Sequence, residues 1–431
     1  MSPELLTVGM FGSLLILIML GVSLSFALGG VAVVFTLILS GTAGLFPMIS
    51  AVFGTMWSVL LAAIPLFIFM GVALGRSQIS ADLYRAFYLW SGRVNGGLLL
   101  GTTGFASVLS AMTGSCAAST LTTGMVGMPA MERHGYDRSF VLGTIGAAGT
   151  LGILIPPSIT LIVIGLVTGL SVGRLFMGGL IVLTVFLVFV TIKARMRPEL
   201  APATDMAVPM MDKIKALRSV IAPLMIIVVV LSSIFMGLAT PTEAAGVGAA
   251  AVVVAVALRG ELTLKFIREV SYSTASTTGM VIWIVFGAVS FVSVYSGAGG
   301  IQFLQRVLLG IDVEPWMLIV IMQLIGLVLG MFLDPIGIIL LVLPIFFPVV
   351  QMLGFDPLWF AVIFQLNLCI GYITPPFGYN IFYLKSLSPE TPILDLYKAV
   401  FPYVLLMLAC GAVFLLFPSI LVEGINLLYR S

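Results

Sequence analysis

Two proline pairs sit in the middle of long apolar stretches of this chain. The first closes Gly149-Thr150-Leu151-Gly152-Ile153-Leu154-Ile155-Pro156-Pro157-Ser158; the second lies in Ile370-Gly371-Tyr372-Ile373-Thr374-Pro375-Pro376-Phe377-Gly378, with Asn380 just beyond. A Pro-Pro pair removes two backbone donors and clashes with the preceding turn, so a helix must break there. At bilayer depth the freed carbonyls and N–H groups must face protein, water or an ion, because lipid offers them no partner. Unwound carbonyls with Ser and Thr hydroxyls form a hard-oxygen cage suited to Na⁺, and half-helix N-termini carry partial positive charge suited to a carboxylate. A plain kink would account for either motif alone. Their recurrence, each following a second irregular segment, argues against that.

Ionisable groups are scarce around these motifs. Asp334, in Asp334-Pro335-Ile336-Gly337, is a candidate sodium or proton site, or else the cap of a helix that starts there. Glu243, in Thr240-Pro241-Thr242-Glu243, reads as a helix cap. His134 lies in the basic loop Glu132-Arg133-His134-Gly135-Tyr136-Asp137 without Cys or a second His nearby, so it reads as a loop residue rather than a metal ligand. Cys116, Cys369 and Cys410 all fall in apolar segments and read as small core residues rather than a disulfide framework. No nucleophile–base pair appears in the apolar runs, which argues against an intramembrane enzyme.

The elements that position these residues follow from composition. Hydrophobic residues make up 61% of the 431 positions and charged ones 8%, so lipid is the main solvent. The net charge of +2 gives no reason to expect nucleic acid. A span needs ~20 apolar residues. Runs divide the chain at about 5–22, 23–40, 52–75, 95–131, 139–168, 174–192, 219–238, 240–258, 271–295, 314–350, 358–385 and 399–421. The first run has no Lys or Arg ahead of it and reads as a span rather than a signal peptide. The 95–131 and 314–350 runs are too long for one span and short for two, and each has a polar or helix-breaking centre: Thr113-Gly114-Ser115-Cys116 with Ser119 and Thr120, and Asp334 to Gly337. A re-entrant hairpin explains both.

Placing the N-terminus outside puts sixteen of the nineteen Lys and Arg residues, Arg93 and Arg197 among them, in the cytoplasm and leaves Arg174, Arg306 and Arg430 outside. The count supports the number of crossings, although a hairpin and two full crossings would score alike. Trp57, Trp90, Trp316 and Trp359 lie near run ends, where the membrane interface favours them. Residues 193–218, with Pro198, Pro202, Pro209 and clustered basic residues, form a cytoplasmic linker between a first half, 1–192, and a second, 219–431. An offset of 219 pairs Pro129 with Pro348, Gly135 with Gly354, Asp137 with Asp356, Gly152 with Gly371, Pro156 with Pro375 and Pro157 with Pro376. The two hairpins open to opposite sides in this topology, so the duplication reads as an inverted repeat, a transporter signature.

Taken together, the Thr-Gly-Ser tip, Met128-Pro129-Ala130-Met131 running into Glu132 to Asp137, the Gly149 to Ser158 run, Ala239-Thr240-Pro241-Thr242-Glu243-Ala244-Ala245 and Ile370 to Pro376 carry a family resemblance. Over essentially its whole length the chain resembles the large permease (M-type) subunit of tripartite ATP-independent periplasmic (TRAP) transporters, of the ion transporter superfamily. The resemblance implies an all-α polytopic membrane protein: an inverted repeat with two re-entrant hairpins and two broken helices, working as an elevator-type sodium symporter in the bacterial inner membrane, while the charge count above puts both termini in the periplasm. It implies two partners, a small four-helix membrane subunit and an extracytoplasmic substrate-binding protein. The implied cargo is a small organic anion such as a C4-dicarboxylate or a sialic acid, with Na⁺ as coupling ion. Carried onto this sequence, one sodium site would involve Ser110, Gly152, Ile155 and Pro157, and the other Gly330, Gly371, Thr374 and Phe377, largely through main-chain oxygens. Substrate would sit between the tips, near Ser115, Thr150, Ser158, Asp334 and Asn380.

The rival readings are a stand-alone sodium–carboxylate symporter of the same superfamily and a channel. The internal symmetry of the chain speaks against a channel, which usually carries its symmetry between subunits.

Overall fold

The computed structural model describes residues 1–91, 96–196, 198–202 and 209–429. Arg93, Arg197 and Arg430, position 95 at the start of the first hairpin run, and 203–208 in the linker lie outside the described residues, as do the side chains of Thr113, Lys193, Pro198 and Arg218. The described residues form twenty α-helices and no strand. The first half contains α1 (Pro3–Met19), α2 (Leu24–Ser40), α3 (Leu45–Met56), α4 (Ala63–Arg76), α5 (Gln78–Ser91), α6 (Gly97–Thr113), α7 (Cys116–Arg133), α8 (Arg138–Thr150), α9 (Ile159–Thr168) and α10 (Val172–Met196). The second contains α11 (Met210–Phe235), α12 (Pro241–Leu258), α13 (Leu264–Gly297), α14 (Gly300–Leu309), α15 (Pro315–Gly330), α16 (Pro335–Met352), α17 (Pro357–Gly371), α18 (Tyr379–Leu387), α19 (Ile393–Leu416) and α20 (Pro418–Tyr429).

Helix boundaries repeat along the chain. Shifted by 219 positions, α7 coincides with α16 at both ends, and α6, α8, α9 and α10 fall within two residues of α15, α17, α18 and α19. The α3–α4 segment departs from this register. The 52–75 run is expected as one span, yet the chain breaks at Trp57-Ser58 between α3 and α4, with a 3₁₀ turn over Val59–Ala62. Pro65 supplies the reason: it sits in the first turn of α4, where its missing N–H is harmless, and it would clash with a helix continued upstream. The counterpart position holds Ile284, and α13 runs unbroken for 34 residues. The 399–421 run is likewise divided, by Pro418 at the start of α20.

Further differences have local causes. The break in the 314–350 run falls over 331–334, and Pro335 to Gly337 form the first turn of α16, because proline is well placed at the first helical position. Trp57, Trp90 and Trp316 are exposed, but Trp359 is buried and donates from Nε1 to the Phe414 carbonyl at 2.7 Å. The apolar runs pass over α5 and α14 and reach only the first turn of α20; all three helices are short or amphipathic. Glu243 completes a capping box with Thr240, whose backbone N donates to it at 2.7 Å. His134 ends α7 half-buried, its Nδ1 2.7 Å from the Ala130 carbonyl. All three cysteines are free and buried.

The centre of the fold is built on the two helices that lead into the breaks. In α8 every residue from Phe140 to Thr150 is buried, and in α17 every residue from Leu358 to Gly371. Such all-round apolar helices belong in an interior. α8 packs on α7 and α19, and α17 on α15 and α19. Beyond each break the packing crosses over: α9 lies against α16, and α18 against α7.

Candidate functional site

At the first break, α8 ends at Thr150, a 3₁₀ turn covers Leu151–Ile153, and Ser158 caps α9 by accepting from Leu161 N at 3.3 Å. The carbonyl of Ile153 has lost its helical partner and collects three others: Ser158 Oγ at 2.6 Å, Thr160 Oγ1 at 2.7 Å and Gln365 Nε2 at 2.7 Å. At the second break, Thr374 N donates to the Gly371 carbonyl and Asn380 N to the Tyr372 carbonyl, while Tyr397 Oη donates to the carbonyls of Pro376 and Phe377 at 2.8 and 3.1 Å. Both Pro-Pro bonds are cis. The freed backbone groups are thus met largely by hydroxyls and amides, as a break in an apolar interior requires.

Each hairpin tip is short. In the first, Gly114 takes a left-handed conformation, φ +59°, which a side chain would disfavour, and Ser115 caps α7 through Ala118 N at 3.4 Å. In the second, Asp334 caps α16 through Ile336 N at 2.9 Å and accepts from Tyr372 Oη at 3.2 Å.

Each tip meets the break of its own half through a glycine. A Cβ on Gly152 would stand 3.3 Å from Ser110 Oγ and from the Cys116 amide nitrogen; one on Gly371 would stand 2.6 Å from the carbonyl carbon of Gly330. Ser110 and Gly152 therefore adjoin, as do Gly330 and Gly371. Ser110 Oγ donates to Ser119 Oγ at 2.7 Å, which keeps its lone pairs available, and its carbonyl accepts from Gly114 N. The Pro157 carbonyl faces Gly114, whose Cβ would meet it at 3.5 Å, and Ile155 N donates to the Leu151 carbonyl. Thr374 Oγ1 donates to the Ile370 carbonyl at 2.6 Å, and the Phe377 ring is half-exposed against Phe332.

Between the tips lies a cavity of about 300 Å³. Gly114, Ser115 and Cys116 form one wall and Asp334, Pro335 and Ile336 another, with Thr160, Thr277, Tyr372 and Tyr383 completing it. Of the five residues expected near substrate, Ser115 and Asp334 line this space. Thr150, Ser158 and Asn380 are fully buried outside it. Thr150 Oγ1 donates to the Ala147 carbonyl at 2.8 Å. Asn380 accepts from Thr120 Oγ1 and donates to the Gly146 carbonyl, both at 2.7 Å, tying α18 to α7 and α8. These three frame the site rather than face its interior. The sequence reading passed over Thr277, Tyr372, Tyr383, Thr160 and Gln365. For Thr277 a signal existed: Ser273, Thr274, Ser276, Thr277 and Thr278 form a hydroxyl-rich stretch inside an apolar run. Among the described residues no group of three or more His, Cys, Asp or Glu could hold a metal, and Asp334 supplies the one carboxylate lining the cavity.

Among the described residues seven helical segments are long and apolar enough to cross a membrane, and together with the buried, broken pair they define an all-α polytopic membrane protein. Residues 11–420 match the family described as tripartite ATP-independent periplasmic transporter, DctM component. The chain belongs to this family, whose members are transporter permeases rather than enzymes. It is 33% identical over 384 residues to the C4-dicarboxylate TRAP transporter large permease protein of Rhodobacter capsulatus, covering 85% of this chain and 87% of that one. It is 30% identical over 381 residues to the ectoine TRAP transporter large permease protein of Halomonas elongata, covering 86% and 87%. With the sialic acid TRAP transporter large permease protein of Vibrio cholerae it shares 29% identity over 417 residues, covering 94% and 96%. The solved structure of the Alcanivorax borkumensis YdaH transporter matches with a TM-score of 0.58 at 17% identity, covering 91% of this chain and 95% of that one, a likeness of fold alone.

Proposed function

We propose that the chain imports a small organic acid across the bacterial inner membrane by sodium symport. In this reading it is the large subunit of a three-part system with a small four-helix membrane subunit and a periplasmic binding protein, and both its termini are periplasmic. The observation that carries the reading is the cavity bounded by both hairpin tips, with a glycine contact between hairpin and broken helix on each side of it. Sodium ions occupy the two contacts, one at Ser110, Gly152, Ile155 and Pro157, the other at Gly330, Gly371, Thr374 and Phe377. Carbonyl and hydroxyl oxygens supply the hard ligands sodium prefers. The cargo's carboxylate lies at the N-termini of α7 and α16, beside Ser115 and Asp334, where partial positive charge favours it.

The halves 1–192 and 219–431 act as an inverted repeat. Hairpins and broken helices, α6 to α9 and α15 to α18, move as one body against the remaining spans and carry the cavity from one face to the other. Identity does not choose the cargo, since the C4-dicarboxylate, ectoine and sialic acid permeases match this chain about equally. The test is uptake into proteoliposomes from a panel of carboxylates, with and without a sodium gradient and with candidate binding proteins from the same genome. Saturable uptake that collapses without the gradient supports the reading. Uptake indifferent to sodium, or no uptake of any carboxylate, overturns it.

A further inference from the structure

The cavity between the tips has a neighbour. A second space of about 310 Å³ shares Ser115, Ile159 and Thr277 with it as a common wall and extends between α4, α7 and α13. Arg76, the last residue of α4, lines that second space. Among the residues lining the two spaces, Asp334 and Arg76 are the only charged side chains. Arg76 Nη1 pairs with Glu269 at 3.1 Å, and Nη2 donates to Ser273 Oγ at 2.8 Å, both partners lying on α13.

This ion pair is wet. Both side chains are 45% exposed, and Lys265 Nζ stands 4.0 Å from the other Glu269 oxygen, so the carboxylate is shared. An exposed pair of this kind contributes little to stability and exchanges readily with solvent. A guanidinium is nevertheless the side chain best matched to a carboxylate, through paired N–H donors in one plane. Electrostatics adds a direction. An anion beside Asp334 is tolerated while cations balance the charge and is repelled once they leave, and Arg76 is the one positive group on the connected walls.

Resting on the organic-anion reading above, we propose that Arg76 is a second anion-binding point on the transport path. The cargo's carboxylate leaves the tip cavity by replacing Glu269 on the Arg76 guanidinium. Glu269 then serves as the resting counter-ion that reclaims Arg76 when the cargo departs. No bond is made or broken in this exchange.

The experiment titrates the full chain in lipid nanodiscs, in sodium chloride, with succinate, N-acetylneuraminate and lactate by calorimetry, comparing wild type with Arg76→Gln, Arg76→Lys and Glu269→Gln. For whichever anion binds wild type, Arg76→Gln should weaken binding tenfold or more. Arg76→Lys should recover part of that loss, and Glu269→Gln should tighten binding severalfold by removing the competing carboxylate. A merely structural ion pair would move Arg76→Gln and Glu269→Gln in the same direction, and that result overturns the proposal, as does unchanged affinity in both. If Arg76→Gln does not fold, Glu269→Gln decides alone, and affinity equal to or weaker than wild type overturns the proposal. Wild type that binds none of the anions defeats the organic-anion reading itself, and this inference with it.

Discussion

The Tyr372 phenol donates to Oδ2 of Asp334 at 3.2 Å, linking the end of α17 to the cap of α16 across the turn between hairpin and break. Oδ1 of the same carboxylate holds Ile336 N at 2.9 Å. Asp334 thus has a capping duty that asparagine can perform equally well and a negative charge that it cannot supply. We predict that Asp334→Asn leaves thermal stability within a few tenths of a kcal/mol of wild type while weakening the sodium dependence of uptake more than cargo affinity. Asp334→Ala should additionally cost ~1 kcal/mol through loss of the cap. An unchanged sodium response in Asp334→Asn would assign the residue to capping alone.

The two glycine contacts differ in tightness, and substitutions should reveal it. A Cβ on Gly371 meets Gly330 backbone at 2.6 Å, whereas one on Gly152 meets its neighbours at 3.3 Å. Backbone cannot step aside as a side chain can, so Gly371→Ala should cost roughly 1–3 kcal/mol as overpacking and remove most uptake, with Gly152→Ala milder in both. Gly152→Leu and Gly371→Leu should each abolish sodium-driven uptake. Thermal midpoints and initial rates in proteoliposomes give the comparison, and equal tolerance at the two positions would contradict it.

Asn380 tests the division between residues that face the cargo and residues that frame it. Its amide satisfies Thr120 Oγ1 and the Gly146 carbonyl in a fully buried position. Asn380→Leu should leave those groups unpaired at a cost of roughly 1–3 kcal/mol, seen as lower thermal stability and yield. The half-saturating cargo concentration of the protein that survives should change little. A large shift in that concentration at unaltered stability would place Asn380 in contact with cargo.

The cysteines provide a probe of the cavity. Cys116 lines the space between the tips, while Cys369 and Cys410 are buried elsewhere. A small methanethiosulfonate reagent should therefore modify Cys116 faster than the other two, and bound cargo should slow that reaction. Mass spectrometry of the labelled chain checks the order. Preferential labelling of Cys369 would show that the cavity is not the route by which water enters.

Punctuation in the sequence and its spatial consequences were legible to different degrees. Pro156-Pro157 and Pro375-Pro376 are absolute constraints on hydrogen bonding, so the breaks could be read without knowing any neighbour. Hydropathy reports which solvent a segment meets and not whether its helix is continuous, which is why Pro65 divided an apparently single span. Pro335 marks the second tip from its far side, since the same ring that ends a helix also starts one well, and the interruption falls just before it. Ser115 and Asp334 are expected near the cargo from the family resemblance, and their place at the tips puts them on the cavity wall. Thr277 and Tyr383 reach it only through the packing of α13 and α18, a tertiary fact with no local trace beyond the run of hydroxyls. Thr150, Ser158 and Asn380 show the converse: a polar residue in an apolar segment can equally serve as a fastener.

The crossed packing of α9 on α16 and α18 on α7 bears on how such a chain can be divided. Each half lends a prop to the other, so a protein cut at the linker would leave in each fragment one hairpin arm stripped of its brace. The two halves are accordingly interlocked like clasped hands, and a tug on either wrist is felt in both palms.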